Sequence, residues 1–440
     1  MPMRKFFVAV SLASTLLVAG GYGTVLAGSF LDQFAELLKV HERIKASEAV
    51  VQASRERVSI SRKEWFPLLS ISGNKAKEDR NNVKGTPNTR LNSHEIGLTV
   101  TQPVYDFGVR NTSTTIAQSD VIRSELALEQ VKQGLLLEAI SAHVNLSLNA
   151  LIDRYARQSV ENIKKQANIE SARVAKGAGL STDVLQSKVQ LAGAKARYIR
   201  SNGTLKQAAN RYQAVFNKIP FNFADLEEIS IPLVELDKDL DELVKITLDN
   251  NIQLAVLDAS RQIDKREISL QKSSAWGPKI DIVAERKYKR NVGGTRGAAE
   301  ETLVKLQLTY DLNLGFSSVN SVNAARLEYV SSDNLFYDAR RIIVEAIKTA
   351  HSQFNTAKEN FRLLEEQAAL SSEFLVLARK ERKLGKRSLI DVLAGETAEI
   401  NARSDAAAAQ GQVIIAAYSI LNLMGILDPK NVVAKNSSSR

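Results

Sequence analysis

The sequence predicts a mixed, mainly α protein: an internally duplicated chain of long coiled-coil helices carrying four membrane β-strands. Three observations point there: short phrases that recur at one offset, two long stretches with no proline, and an apolar period that switches along the chain from alternation to heptads.

Residues 177–186 read GAGLSTDVLQ and residues 385–394 read GKRSLIDVLA, so that Asp183 and Asp391 stand 208 positions apart. Trp65-Phe66-Pro67 returns as Trp276-Gly277-Pro278, 211 positions on, and Asn82-Val83-Lys84-Gly85-Thr86 returns as Asn291-Val292-Gly293-Gly294-Thr295, 209 positions on. The alternating set Ile96, Leu98, Val100 returns 208 positions later as Val304, Leu306, Leu308. Coincidences at one spacing, to within three residues, mark a duplicated unit, far longer than a solenoid repeat.

The chain begins with a targeting segment. Arg4 and Lys5 precede the apolar run 6–19, and Val25-Leu26-Ala27 is a small-residue cleavage site, so residues 1–27 read as a signal peptide. An uncleaved anchor is the alternative, but the run holds Ser11, Ser14 and Thr15 and falls short of the ~20 apolar residues of a span. The first repeat, 28–217, then predicts a helix over 31–64, a Trp-x-Pro stop, strands over 68–78 and 94–102 joined by a polar glycine-containing loop (79–93), and a long helix from 105 to 176. Residues 218–240 form a linker with Pro220 and Pro232. The second repeat, 241–428, has the same layout: a helix over 240–274, strands over 279–288 and 301–310 around a loop (289–300), a helix over 316–384, and a polar tail from 429 to 440.

Alternation defines the strands. Val304, Leu306, Leu308 and Tyr310 interleave with Lys305, Gln307 and Thr309, and Ile280, Ile282 and Ala284 stand against Asp281, Glu285 and Lys287. The helical arms are defined by what they lack. None of the eight prolines lies between 104 and 219 or between 279 and 428, and 316–384 contains no glycine either. Along the second arm Ile343, Ile347, Ala350, Phe354, Ala357, Phe361, Leu364 and Ala368 keep a strict alternation of four and three. The first arm is looser, with Val121, Leu128, Val131 and Leu135. At ~1.5 Å per residue each arm can reach ~100 Å.

The repeated glycine–aspartate phrase therefore reverses the chain at the far end of each arm, and a second helix returns to about Asn217 or Met424. Gly177, Gly179 and Gly385 permit the reversal; Ser181 or Ser388 lies near the start of the return helix, and Thr182, Asp183 and Asp391 are candidates for its N-cap. Spacing alone leaves capping as their whole role.

Strands of ~10 residues, apolar on one face and polar on the other, suit a tilted membrane barrel with a wet lumen. Four strands cannot close one, and open edges are not tolerated in lipid, so the chain must recruit copies of itself into a symmetric ring. Two, three or four copies are not separable on this ground, and a soluble α+β protein with two surface hairpins is the alternative.

Composition narrows the function classes. The net charge is +10, but its signs alternate along the helices, which marks a solvated surface and not a nucleic-acid partner. Cysteine is absent, which removes disulfides and a lipid-modified N-terminal cysteine. No P-loop or dinucleotide glycine pattern occurs, His41, His94, His143 and His351 are scattered, and no triad is organised, so neither an enzyme nor a cofactor is expected. Trp65 and Trp276 read as interface or barrel-rim anchors, with core packing the alternative for Trp276.

The Trp-x-Pro approaches to the strands, the Gln102-Pro103-Val104-Tyr105-Asp106-Phe107-Gly108 exit from strand to helix, and the paired Gly-x5-Asp-Val-Leu turns resemble the TolC-like outer-membrane export ducts of Gram-negative bacteria over roughly 30–428. The resemblance implies a homotrimer with a twelve-stranded β-barrel in outer-membrane lipid, an α-helical tunnel through the periplasm, and a belt around its middle from residues 218–240. It further implies that the tip turns (Gly177, Gly179, Leu180, Ser181, Gly385, Lys386, Ser388) close the tunnel and dock a periplasmic adaptor, which links it to an inner-membrane ABC or proton-driven pump. Thr182, Asp183, Arg382, Arg387 and Asp391 are the expected periplasmic gate: Asp183 and Arg387 match residues of inter-helix links, and Asp391 matches an aspartate lining the constriction.

The chain departs from the family pattern at Ala394, where a second ring aspartate is common, and at Arg382, where an aromatic partner is expected. Residues 379–391 carry six bases against Glu381 and Asp391. Arg387 is expected to link to Thr182 or Asp183, while Arg379, Lys380 and Lys383 are expected to point outward, solvating the tip or meeting an acidic adaptor. The implied function is an export duct for proteins (type I secretion) or small molecules (multidrug efflux), and the missing anchor cysteine favours the protein-secretion branch. A coiled-coil scaffold or surface fibre is the other reading; it explains the heptads but not the duplicated strand pairs.

Overall fold

A computed structural model describes residues 30–81, 88–218, 226, 229–231, 236 and 238–432. The expected signal peptide and most of the 218–240 linker lie outside the described residues, as does the tail beyond Val432.

The first repeat opens with two helices, α1 (Phe30–Val40) and α2 (Glu42–Lys63), where a single one was expected. His41 stops the first in extended geometry and caps the second, its Nδ1 accepting from the Arg43 amide at 3.1 Å. The second repeat divides at the same place: α5 (Leu240–Asn250) and α6 (Ile252–Trp276) meet at Asn251, whose side chain accepts from the Leu254 amide and donates to the Leu423 carbonyl. Pro67 and Pro278 end the second helix of each pair by excluding α geometry from the residue before them.

The strands are β1 (Leu68–Arg80), β2 (Thr89–Tyr105), β3 (Lys279–Arg290) and β4 (Ala298–Thr309), one antiparallel sheet in chain order. They run further than the alternation indicated, because the ladder continues through Asp79-Arg80 and Thr89–Ser93, where Leu91 is the one apolar side chain among polar ones. The expected loops are shortened accordingly; residues 82–87 of the first lie outside the described residues. The second hairpin is fastened to the first, with the Gly293 amide on Glu78 and Arg80 on the Gly293 carbonyl.

Register places the apolar residues on one face. Leu69 stands opposite Val100, Ile71 opposite Leu98, Val100 opposite Ala284, Ala284 opposite Val304 and Ile282 opposite Leu306. This face is bare in the single chain: Ile71 is 72% and Leu306 71% exposed. The other face is polar and internally paired, with Glu285 held by Lys287 and Lys305 and with Glu301 on Lys289. β1 and β4 leave an unpaired edge at either side of the sheet.

The arms are α3 (Val109–Ala175) and α7 (Ser317–Lys383), each 67 residues long, and the return helices are α4 (Ser181–Phe216) and α8 (Leu389–Leu423). Phe107 and Phe316, just ahead of the two arms, both sit in the left-handed region at φ 55° and 53°, a second mark of the duplication. The heptad seam is borne out: Ile343, Ile347 and Phe354 are buried and its other members half-buried. The main core lies at mid-length, where α1, α2 and the return helices meet around Phe34, Leu135, Leu136, Ile140, Tyr212, Tyr418 and Leu421. Ile229 and Leu236 of the linker join it, and Tyr418 Oη donates to the Ser230 carbonyl. The tail is not polar from its start: Pro429–Asn431 forms a 3-10 turn and Val432 is buried.

Candidate functional site

Each arm ends in a Schellman turn. Gly177 and Gly385, both at φ 73°, occupy the left-handed position. In the first turn the Ala178 amide reaches the Arg173 carbonyl and the Gly177 amide that of Val174; in the second Lys386 reaches Glu381 and Gly385 reaches Arg382. Gly179 is needed for space, since a Cβ there would come within 3.0 Å of Val174 Cγ2 and 3.2 Å of the Val174 amide.

The return helices start differently from expectation. Ser388 is the N-cap of α8, its Oγ accepting from the Asp391 amide at 3.2 Å, while Leu180 holds the cap position of α4 without a side-chain bond. Asp183 and Asp391 thus lie inside the first turn, where a carboxylate faces the positive end of the helix, and neither is the cap. Ser181 and Thr182 open α4 and are exposed, as are Leu180, Lys386, Ser388 and the Asp391 side chain.

Arg382 joins the two hairpins. Its Nη2 donates to Glu170 Oε1 of α3 at 2.9 Å and lies 3.9 Å from Asp183 Oδ2 of α4, while Nη1 reaches the Arg387 carbonyl at 3.3 Å. The Glu170 side chain is 3% exposed and is also approached by Arg173 at 3.4 Å, so it is a buried carboxylate held by two guanidinium groups. Arg387 does not make the expected link to Thr182 or Asp183. Its Nε donates to Glu381 at 2.6 Å and its guanidinium lies over the Phe374 ring, both on its own hairpin. The reason is reach: Glu381 is six residues away across the turn, whereas Arg382 already fills the space between Asp183 and Glu170.

Behind this contact runs a ladder of buried charge. Arg379 turns inward, against the expectation that it solvates the tip, and its Nε donates to Glu396 at 2.9 Å, with Asn162 of α3 at 3.4 Å from the same carboxylate. Glu396 is 2% exposed. One turn on, Glu399 pairs with Arg403, which lies over the Tyr155 ring of α3 and reaches Ser372. Burial pushes the Glu399 carboxyl above the usual carboxylate range, against the lowering influence of Arg403. Glu170, Asn162, Glu396, Glu399 and Arg403 were not singled out from the sequence. A signal existed for two of them. Leu389, Leu393, Glu396, Ile400 and Arg403 are spaced four, three, four and three, which puts Glu396 and Arg403 on the apolar seam.

Lys380 and Lys383 are exposed as expected. Of the histidines, His41 caps a helix, His143 is buried beside Tyr212, and no cluster able to hold a metal occurs among the described residues.

A four-stranded sheet with a bare apolar face and two open edges, continued by long paired helical arms, is the build of an outer-membrane channel protein. Comparison with known proteins agrees. The family model described as outer membrane efflux protein matches residues 35–217 and 243–426, one segment per repeat. Outer membrane protein TolC of Escherichia coli is 20% identical over 94% of this chain and 87% of its own length, and outer membrane efflux protein BepC of Brucella suis is 21% identical over 92% and 88%. The open-state MtrE outer membrane channel of Neisseria gonorrhoeae superposes with a TM-score of 0.73 at 15% identity, covering 90% of this chain and 89% of its own. The chain belongs to the outer membrane efflux protein family. It is an outer-membrane transport channel protein, and the scaffold reading falls away.

Proposed function

We propose that three copies assemble into a channel-tunnel, each giving four strands to a twelve-stranded barrel and two helical hairpins to a periplasmic tube. The observation that carries this reading is the pair of open edges, β1 and β4, on a sheet whose exposed face is apolar: every edge must be matched in lipid, and only further copies of the same sheet supply matching strands. Height fits as well. The twelve residues of β4, at ~3.4 Å per step and a ~40° tilt, span ~25–30 Å, the height of the membrane's apolar band.

The tip turns form the periplasmic gate. Thr182, Asp183, Arg382, Arg387 and Asp391 surround it, with Arg382 as the latch between hairpins and the three copies of Asp391 facing the opening. The exposed turns Gly177–Ser181 and Gly385–Ser388 dock a periplasmic adaptor, which couples the duct to an inner-membrane ABC or proton-driven pump. The cargo is protein or small molecule.

Light scattering of the detergent-purified chain, with single-channel recording in planar bilayers, tests the assembly. A heat-resistant trimer with discrete conductance supports the reading. A monodisperse monomer or dimer without conductance ends it.

A further inference from the structure

Where β3 meets α6, the α6–α7 groove widens into a cavity of about 480 Å³ lined by Phe107, Trp276, Val319, Val322, Lys272 and Arg326 among others. No acid lies among its lining residues; Arg326 donates to Asn323 of the lining at 3.2 Å, and neither it nor Lys272 forms an ion pair among the described residues. The duplication supplies an internal control. In the first repeat Trp65 is covered by the Arg110 guanidinium, 5.5 Å from the ring, and Arg110 is neutralised by the buried Asp106 at 2.8 Å. Aligned on Phe107 and Phe316, the second repeat has Val319 for Arg110 and Gly315 for Asp106. The plug and its counter-charge are both gone, and Trp276 is left 45% exposed.

The cavity is continuous with the apolar face of the sheet. Tyr105 pairs in register with Ile280 on that face, and its ring meets Phe107 at 5.0 Å, so that Phe107 carries the aromatic surface from the strand down to Trp276. Aromatic rings at the foot of a lipid-facing strip, with cations just beyond, match a headgroup's depth: the acyl chain lies along the strand and the phosphate meets the bases.

We propose that this cavity is a binding site for an anionic glycerophospholipid of the inner leaflet, its phosphate held by Lys272 and Arg326 and its chains against Phe107, Val319 and Trp276. The proposal rests on the sheet lying in the membrane. A site of this kind, one per chain, would tie the barrel to the leaflet without a lipid-modified cysteine, which this chain lacks.

Native mass spectrometry of the detergent-solubilised full chain, titrated with phosphatidylglycerol or with phosphatidylcholine, tests it. The expected result is retention of about one phosphatidylglycerol per chain, with phosphatidylcholine held at least ~tenfold more weakly. The variant Lys272→Gln with Arg326→Gln should lose that preference while keeping its oligomeric state and conductance, and Trp276→Ala should weaken both lipids. Arg110→Gln, in the repeat whose tryptophan is covered, should change neither. Equal retention of both lipids by the unaltered protein, or a preference that survives the double substitution, overturns the site. A chain that carbonate extracts from membranes refutes the barrel reading instead.

Discussion

Removing the Arg382 side chain would leave a carboxylate that is 3% exposed with only its longer contact to Arg173, and loosen another on the neighbouring helix at once. Hydrogen bonds to charged groups contribute ~1.5–3 kcal/mol. Arg382→Ala should therefore raise conductance and lengthen open dwell times in planar bilayers. Arg387→Ser, whose partners Glu381 and Phe374 sit on its own hairpin, should change gating less. The reverse order would return the latch to Arg387. Glu399 supplies a second test at this scale. Its raised carboxyl pKa means that the folded state holds the proton more tightly than the unfolded chain does. The contribution is complete below the ordinary value of 4.5 and is lost as pH climbs through the raised value. The groups facing it are Arg403, Glu396 and Arg379. Glu399→Gln, which stays neutral, should narrow the gap between melting temperatures at mildly acid and neutral pH. An unchanged gap would show that Glu399 ionises freely.

At the scale of elements, register gives adjacent residues of β4 opposite fates. Leu306 shares a face with Ile282 and Val304 and is 71% exposed, whereas Gln307 lies on the face of Asp281 and Thr309. Leu306→Arg puts a charge into lipid near mid-strand, at ~2–4 kcal/mol. Gln307→Arg should assemble nearly normally. Equal trimer yields, measured by heat-resistant electrophoresis, would contradict the face assignment. Strands and arms were both legible in the sequence, because period-two and heptad patterns are local and proline shows where a helix cannot continue. Element ends were less so: the ladder runs on to Arg80 and Arg290 through mostly polar positions, and the breaks at His41 and Asn251 leave no proline or glycine to announce them. The proposed gate was half legible. Gly177 and Gly385 show themselves by the turn they must make, but Glu170 meets Arg382 across 212 residues, and nothing local distinguishes it from a solvated glutamate.

For the whole molecule, the loop that joins β1 to β2 should lie outside the cell if the arms hang in the periplasm. A cysteine at Asn88 should then react with an impermeant maleimide on intact cells; labelling only after the outer membrane is disrupted would invert the topology. The two repeats have diverged at their tips, one turn neutral and the other basic, and at their membrane ends, one tryptophan covered by an arginine and the other facing a cavity. What has not diverged is the 67-residue length of α3 and α7. The arms start at equivalent left-handed phenylalanines beneath one sheet and must bring Arg382 level with Glu170 and Asp183 at the other end. Each residue added to one arm alone would displace its tip by ~1.5 Å and swing it by ~100°. Changes of length are thus admissible only as matched edits in all four long helices, in steps of seven that return each side chain to its heptad position. A seven-residue excision from α3 and α4 alone should leave a barrel that assembles but leaks, and the same excision from α7 and α8 should restore the seal. In that sense the duplicated halves are two gauges cut to one standard, and insertions or deletions in either half are selected as a joint trait of both.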